Sequence, residues 1–181
     1  MTALPQPNKM TADEYLQTPE TNLHTELLDG EIVNFASPTV LHQEIVGGIY
    51  AEIRQFIRTN HGDCKPMIAP FDVKIDDMHV VQPDVLVVCD PSKLNEKFCN
   101  GAPDWVIEAT SSNRVDDFSR KLNLYKKSGV REYWIVDTDE RRVIVYDFEQ
   151  HPNAVELYDW TDEIPVRIYG GKLKIRIEDL V

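Results

Sequence analysis

Pro83-Asp84-Val85-Leu86-Val87-Val88 and Asp104-Trp105-Val106-Ile107-Glu108-Ala109-Thr110 are the two stretches that decide the fold of this chain. Each is a short apolar run rich in β-branched residues, the composition of a buried strand. Each also carries a carboxylate where such a strand would bury it: Asp84 opens the first run, and Glu108 closes Trp105-Val106-Ile107. An ionised carboxylate costs several kcal/mol to desolvate unless it is paired, hydrogen-bonded or bound to a cation. Two of them on adjacent strands call for a counter-charge, and a divalent metal is the simplest one.

Strand alternation places Asp84, Leu86 and Val88 on one face and Val85 and Val87 on the other. By the same rule Asp104, Val106 and Glu108 lie opposite Trp105 and Ile107. If the strands are neighbours, Asp84 and Glu108 converge at one end of the sheet, and the backbone carbonyl of Ala109 adds a further oxygen. An oxygen-rich pocket of this kind suits Mg²⁺ or Mn²⁺, since Mg²⁺ takes few protein ligands and keeps several waters. Such an ion polarises a phosphoryl oxygen and acidifies a bound water, the two requirements of phosphodiester hydrolysis. The nearby cation that this chemistry needs is best supplied by Lys121. Asp117, Lys121 and Tyr125 recur at i, i+4 and i+8, beside an apolar stripe of Phe118, Leu122 and Tyr125.

Working outward, Thr11-Ala12-Asp13-Glu14 has capping-box spacing and predicts a short helix ending near Pro19. Asp29-Gly30 between Glu26-Leu27-Leu28 and Glu31-Ile32-Val33 predicts a hairpin with a primed turn. Ser37-Pro38 starts a longer helix whose apolar face runs from Leu41 through Ile45, Ile49 and Ile53 to Ile57, stopping at Asn60-His61-Gly62. Strands are expected over 69–75, 80–88, 104–110 and 132–136, with a polar loop between the second and third. A helix over 115–128 should precede the last of them. From Arg142 onward the chain reads as two hairpins, 143–148 with 155–158, and 166–168 with 173–177 across Gly170-Gly171, extending the same sheet. The expected class is α/β (α+β): a mixed central sheet flanked by helices, with an N-terminal hairpin and a C-terminal β-hairpin extension.

A chain of 181 residues, 42% hydrophobic and 28% charged, fits one domain over 1–181, with a core at about 37–137 and the β extension at about 142–178. No apolar run approaches the roughly 18 residues of a spanning helix. The start, MTALPQPNKM, also lacks the apolar core of a signal peptide. Cys64, Cys89 and Cys99 are odd in number and form no Cys-x-x-Cys pair, so no disulfide framework is expected and the location reads as cytoplasmic. A formal charge of −12 speaks against broad nonspecific nucleic-acid binding, so any contact with DNA must be local. Residues 114–131 hold six basic side chains against two acidic ones, and 137–163 hold two against nine. The first of these segments is the candidate DNA contact, against the plainer reading of a solvated helix face. No Gly-x-Ser-x-Gly elbow, Cys–His neighbour or Gly-rich phosphate loop occurs.

Pro83-Asp84, Glu108 and Asp117-x3-Lys121-x3-Tyr125-x3-Gly129-Val130-x-Glu132-Tyr133-Trp134-x-Val136-Asp137 together resemble the Uma-type family of bacterial nucleases. That family lies within the PD-(D/E)XK restriction-endonuclease-like superfamily. The resemblance extends upstream to Glu26-Leu27-Leu28-Asp29-Gly30, Ser37-Pro38 and His42, covering about residues 10–147. It implies a restriction-endonuclease-like core, Asp84 and Glu108 as metal ligands, and a lysine that orients the attacking water and stabilises the charged transition state. The superfamily pattern places that lysine two residues after the glutamate, where this chain has Thr110; the family's shifted lysine maps onto Lys121. Glu26 then becomes a possible auxiliary acid rather than a hairpin residue in a cross-strand pair, and His42 a possible site residue rather than a core histidine. Tyr125 and Tyr133-Trp134 read as core packing.

The function expected on these grounds is a divalent-metal-dependent endonuclease that hydrolyses phosphodiester bonds of DNA. The alternative is a noncatalytic assembly or regulatory module that keeps the fold and pairs its carboxylates internally, a reading that the charge of −12 favours. Sheet edges left by the C-terminal hairpins suggest a homodimer.

Overall fold

The computed structural model describes residues 9–19, 24–35, 37–110 and 115–181. Arg114, the first basic residue of the 114–131 segment, and the side chains of Asp117 and Phe118 lie outside the described residues. At the centre, strand β6 (Val85–Val88) runs antiparallel to β8 (Trp105–Thr110), with Val85 opposite Ile107 and Val87 opposite Trp105. Strand β8 in turn pairs in parallel with β9 (Glu132–Asp137), Glu108 standing opposite Ile135. A parallel pair needs a crossover, and helix α3 (Val115–Ser128) makes it. Strand β3 (Lys65–Ile68) covers the outer side of β6, while β10 (Arg142–Asp147) and β11 (Glu156–Asp159) extend beyond β9. The six-stranded order is thus β11-β10-β9-β8-β6-β3.

The period-2 pattern sorts side chains between the two faces. Val85, Val87, Trp105, Ile107 and Trp134 pack under helix α2 (Val40–Thr59) against Ile45, Ile49 and Ile53, with the two Trp rings edge to face at 5.0 Å. On the other face Leu86, Val88, Val106, Tyr133 and Ile135 pack with Tyr125 and Leu122 of α3. Each fully buried aliphatic side chain contributes about 1.5–3 kcal/mol. Thr39 caps α2 through the His42 amide, which fixes where the helix begins and therefore where His42 points.

A second sheet, of order β2-β1-β5-β4-β7, stands beside the first. It comprises β1 (His24–Leu28), β2 (Glu31–Phe35), β4 (Asp72–Asp76), β5 (His79–Val81) and β7 (Phe98–Asn100). The β1–β2 turn is the expected primed one, with φ of 53° at Asp29 and 75° at Gly30. Helix α1 (Ala12–Leu16) has the expected capping box, Thr11 and Glu14 bonding each other's backbone amides.

Several boundaries differ from expectation. The stretch 80–88 is two strands in two sheets, because Pro83 has no N–H to donate and the chain steps across at Gln82-Pro83-Asp84. Residues 69–75 break likewise at Ala69-Pro70, and the polar loop contains β7, which pairs in parallel with β4. The last hairpin is shorter than expected. Strand β12 (Ile164–Pro165) pairs with β13 (Lys174–Ile175) as a separate two-stranded ladder, and 167–169 form a turn of 3₁₀ helix ending at Gly170, φ 61°. This tail still closes the α2 core with Trp160, Ile164, Val166 and Ile175. Buried Glu132 ties it to β9, accepting from Trp134 Nε1 at 2.7 Å and from the Ile168 amide at 2.9 Å.

The cysteine reading is also corrected: Cys64 and Cys89 form a disulfide, leaving Cys99 buried and free. An odd count excludes a full pairing, not a single one, and the register supplies it. Lys65 stands opposite Val88, so the residues just beyond them are brought face to face. No helix among the described residues is long and apolar enough to cross a membrane.

Candidate active site

The step at Gln82-Pro83-Asp84 brings the two sheets together around a cleft of about 420 Å³, and Glu26, His42, Asp84, Glu108, Ala109, Thr110 and Lys121 all line it. Pairing between β6 and β8 ends at Val85 and Ile107. Beyond that point the Ala109 amide has no strand partner and donates instead to Asp84 Oδ2 at 2.8 Å. The N–H and C=O of one strand residue share a side, so the Ala109 carbonyl lies on the Asp84 side as well. His42 Nε2, from the first turn of α2, lies 3.1 Å from the same Oδ2.

Glu108 is held from α3. Lys121 Nζ donates to Glu108 Oε1 at 3.1 Å and to Glu26 Oε1 at 3.0 Å, while the Tyr125 hydroxyl donates to Glu108 Oε1 at 2.9 Å. The helical spacing of Lys121 and Tyr125 thus delivers two donors to one oxygen. Glu26 Oε1 also accepts from the Gln82 amide at 2.9 Å. The three charged groups are nearly withdrawn from water: Glu26 is 3%, Lys121 6% and Glu108 8% exposed. Glu26 Oε2 is buried with no hydrogen-bond partner among the described residues.

Burial pushes the Glu108 carboxyl up to about 7; the charges of Asp84 and Glu26 add to this and Lys121 opposes it. Burial, reinforced by Glu108, also holds the Tyr125 hydroxyl well above its ordinary value, so it stays a donor. The Lys121 ammonium lies 5.0 Å from the centre of the Phe35 ring.

Glu26, His42, Asp84, Glu108, Ala109 and Lys121, the six candidate site residues of the sequence, therefore meet at one cleft. Thr110 lines it too, and the ammonium beside Glu108 is that of Lys121. Two contributors were missed. Tyr125 was read as packing, and it does pack edge to face on Tyr133, yet its hydroxyl is spent on Glu108; the shared row with Lys121 was the available signal. The Gln82 amide gave none, since its role depends on a strand from the other sheet. The other described basic groups of the 114–131 segment turn elsewhere. Arg120 bonds Asp29, Lys126 reaches Asn153, and Arg131 pairs with Asp104 and Glu149, while Lys127 borders a second cavity with Arg120. No group of three or more His, Cys, Asp or Glu side chains forms a metal cage among the described residues.

No curated protein matches the chain. The crystal structure of "a putative nuclease belonging to DUF820" from Anabaena variabilis superposes with a TM-score of 0.79 at 24% identity, covering 94% of this chain and 97% of that one. The two share a fold, the mixed-sheet, nuclease-like architecture expected from the sequence. The sequence profile described as "Uma2: Putative restriction endonuclease" matches residues 12–166, and the chain belongs to that family.

Proposed function

We propose that this chain is a Mg²⁺- or Mn²⁺-dependent endonuclease that hydrolyses phosphodiester bonds of DNA, with Asp84, Glu108 and the Ala109 carbonyl as metal ligands and Lys121 as the catalytic cation. The observation that carries this reading is charge. Glu26 and Glu108 share the Lys121 ammonium and Asp84 pairs with His42, so the formal count of three carboxylates against one lysine leaves a surplus of negative charge in the recess. A divalent cation cancels that surplus. Internal pairing alone, as in a noncatalytic module, leaves it standing.

The donor set fits such an ion. His42 and the Ala109 amide occupy Asp84 Oδ2, and Lys121 and Tyr125 occupy Glu108 Oε1, so each carboxylate keeps its second oxygen without a protein partner among the described residues. Few protein oxygens is the pattern of Mg²⁺, which keeps much of its hydration. Bound there, the ion would polarise a phosphoryl oxygen and acidify a water.

The chain's own groups do the rest. Lys121, shielded from solvent, orients the attacking water and offsets charge that develops on the phosphoryl oxygens. Tyr125, His42 and the Ala109 amide fix the orientation of the two ligands. The water oxygen bonds to phosphorus as the bond to the leaving sugar oxygen breaks, giving a phosphomonoester and a hydroxyl. The 114–131 segment meets the substrate through Lys121.

The test supplies supercoiled plasmid and single-stranded DNA with Mg²⁺ or Mn²⁺ to the wild type and to Asp84→Ala, Glu108→Ala and Lys121→Ala. Cleavage by the wild type alone is expected. Cleavage that persists in all three variants refutes the site, and a wild type that binds neither metal by calorimetry refutes the enzyme.

A further inference from the structure

We propose that Glu26 is a positioning residue, whose carboxylate keeps the Lys121 ammonium in the cleft when a divalent ion occupies Glu108. This deepens the metal-dependent reading, in which Glu26 is not a ligand, and rests on it.

One oxygen atom carries the geometry. Glu26 Oε1 accepts from the Lys121 ammonium at 3.0 Å and from the Gln82 amide at 2.9 Å. Gln82 stands two residues before Asp84, and Pro83 between them fixes its own φ and restricts the residue that precedes it. The Gln82 side chain is anchored as well, its amide donating to Asp72 Oδ1 of β4 at 2.8 Å. Glu26 Oε1 therefore ties the helix that carries Lys121 to the strand step that carries Asp84. The tie is placed by β1, whose next residue, Leu27, pairs with Val80.

Charge gives the tie its purpose. Lys121 Nζ donates to Glu108 Oε1 as well, at 3.1 Å. A divalent ion on Glu108 draws on the same carboxylate and repels the ammonium, and water screens the two cations little, since Glu108 is 8% and Lys121 6% exposed. A second anion in contact with the ammonium offsets that repulsion. Glu26 is such an anion: with the ion bound, the ammonium leans on Glu26 and stays where the reaction uses it.

Stability alone is a poor reason to keep this carboxylate. Glu26 is 3% exposed, and its Oε2 is buried without a hydrogen-bond partner among the described residues. Buried ion pairs are often no more stabilising than apolar residues of similar volume. The value of Glu26 lies in where it holds Lys121.

The test uses the full chain labelled with ¹⁵N-lysine and reads the Lys121 side-chain ammonium by NMR, the signal being identified by its loss in Lys121→Met. In the wild type it should persist at saturating Mg²⁺. Glu26→Gln keeps the acceptor oxygen and the shape but removes the charge; its Lys121 signal should be present without the ion and be lost, or move to the position of exposed lysines, when Mg²⁺ is added. On DNA, Glu26→Gln should lower kcat by about tenfold or more with KM within about threefold, the pattern of an interaction used in the transition state. Its Mg²⁺ affinity by calorimetry should also stay within about threefold, and Glu26→Asp, which keeps the charge, should retain more kcat than Glu26→Gln. A Lys121 signal in Glu26→Gln that Mg²⁺ leaves unmoved, a wild-type signal that Mg²⁺ abolishes, or a kcat unchanged in Glu26→Gln overturns the inference and leaves the metal-dependent reading intact. A Mg²⁺ affinity that collapses in Glu26→Gln makes Glu26 a ligand and overturns it too. A wild type that binds no Mg²⁺ overturns both. For a protein that binds Mg²⁺ and cuts none of the DNA supplied, the ammonium signal decides.

Discussion

Replacing Lys121 by methionine keeps most of the side-chain volume and removes the one ammonium shared by Glu26 and Glu108. In the folded protein Lys121 Nζ stands 3.0 Å from one carboxylate and 3.1 Å from the other. Removing one partner of a buried ion pair costs about 3–5 kcal/mol, because the charge left behind is desolvated without compensation. The loss depends on pH, and its sign follows from Glu108. That carboxyl is already raised to about 7 from an ordinary 4.5 with the lysine present, and without the lysine it rises further. Between those values the folded state holds more protons than the unfolded one, so stability falls as pH rises. The variant should therefore lose about 3–5 kcal/mol at pH 8, and distinctly less at pH 5, where Glu108 is protonated in both proteins. Urea denaturation at pH 5, 6.5 and 8, with the slope against urea checked for constancy, measures this directly. A loss below about 1 kcal/mol at pH 8, or the same loss at every pH, would show that the triad is weakly coupled and would refute the electrostatic reasoning.

Glu132 offers an independent pH test, since burial pushes it up to about 7 against the pull of its N–H donors. The linkage gives about 3 kcal/mol lost between pH 4.5 and 7, and Glu132→Gln should roughly halve the wild-type slope of stability against pH; an unchanged slope rejects the assignment. The Cys64–Cys89 bridge spans a sequence separation of 25. Chain entropy predicts that the Cys64→Ser, Cys89→Ser double variant loses about 3 kcal/mol, and an unchanged urea midpoint would contradict it. Saturating Mg²⁺ should raise the melting temperature of the wild type, by about 2.7 kcal/mol in stability at a hundred times its dissociation constant, and leave Asp84→Asn unmoved. A shift of equal size in the variant would place the ion elsewhere.

The convergence of Asp84 and Glu108 was legible because it needs only alternation along two strands and their adjacency, both of which survive errors in strand length. Lys121 was legible because helical spacing sets it in one row with Asp117 and Tyr125, and the family resemblance maps the shifted lysine onto it. What stayed hidden depends on pairings distant in sequence. Gln82 meets Glu26 because β1 belongs to the second sheet, and periodicity along 80–88 cannot show that Pro83 divides the run between two sheets. Strand β7 exists because it pairs in parallel with β4. Cys64 and Cys89 look unrelated until the register of Lys65 against Val88 is known. The Tyr125 hydroxyl shows a different limit, since a residue in an apolar stripe reads as packing whether or not its polar end is used.

The manner in which β1 joins its sheet bears on how the protein opens. The β1–β2 hairpin has five local pairs, yet its ladder to β5 is the single pair Leu27 with Val80. Strands β8 and β9, by contrast, share six pairs and are covered on both faces. Local unfolding follows such differences, so amides of 24–35 should exchange with solvent at a lower free energy than those of 105–110 and 132–137. Glu26 and Phe35 ride on the weakly attached element and Glu108 on the strong one. Local opening of the hairpin would then uncover one wall of the cleft while its floor remains folded.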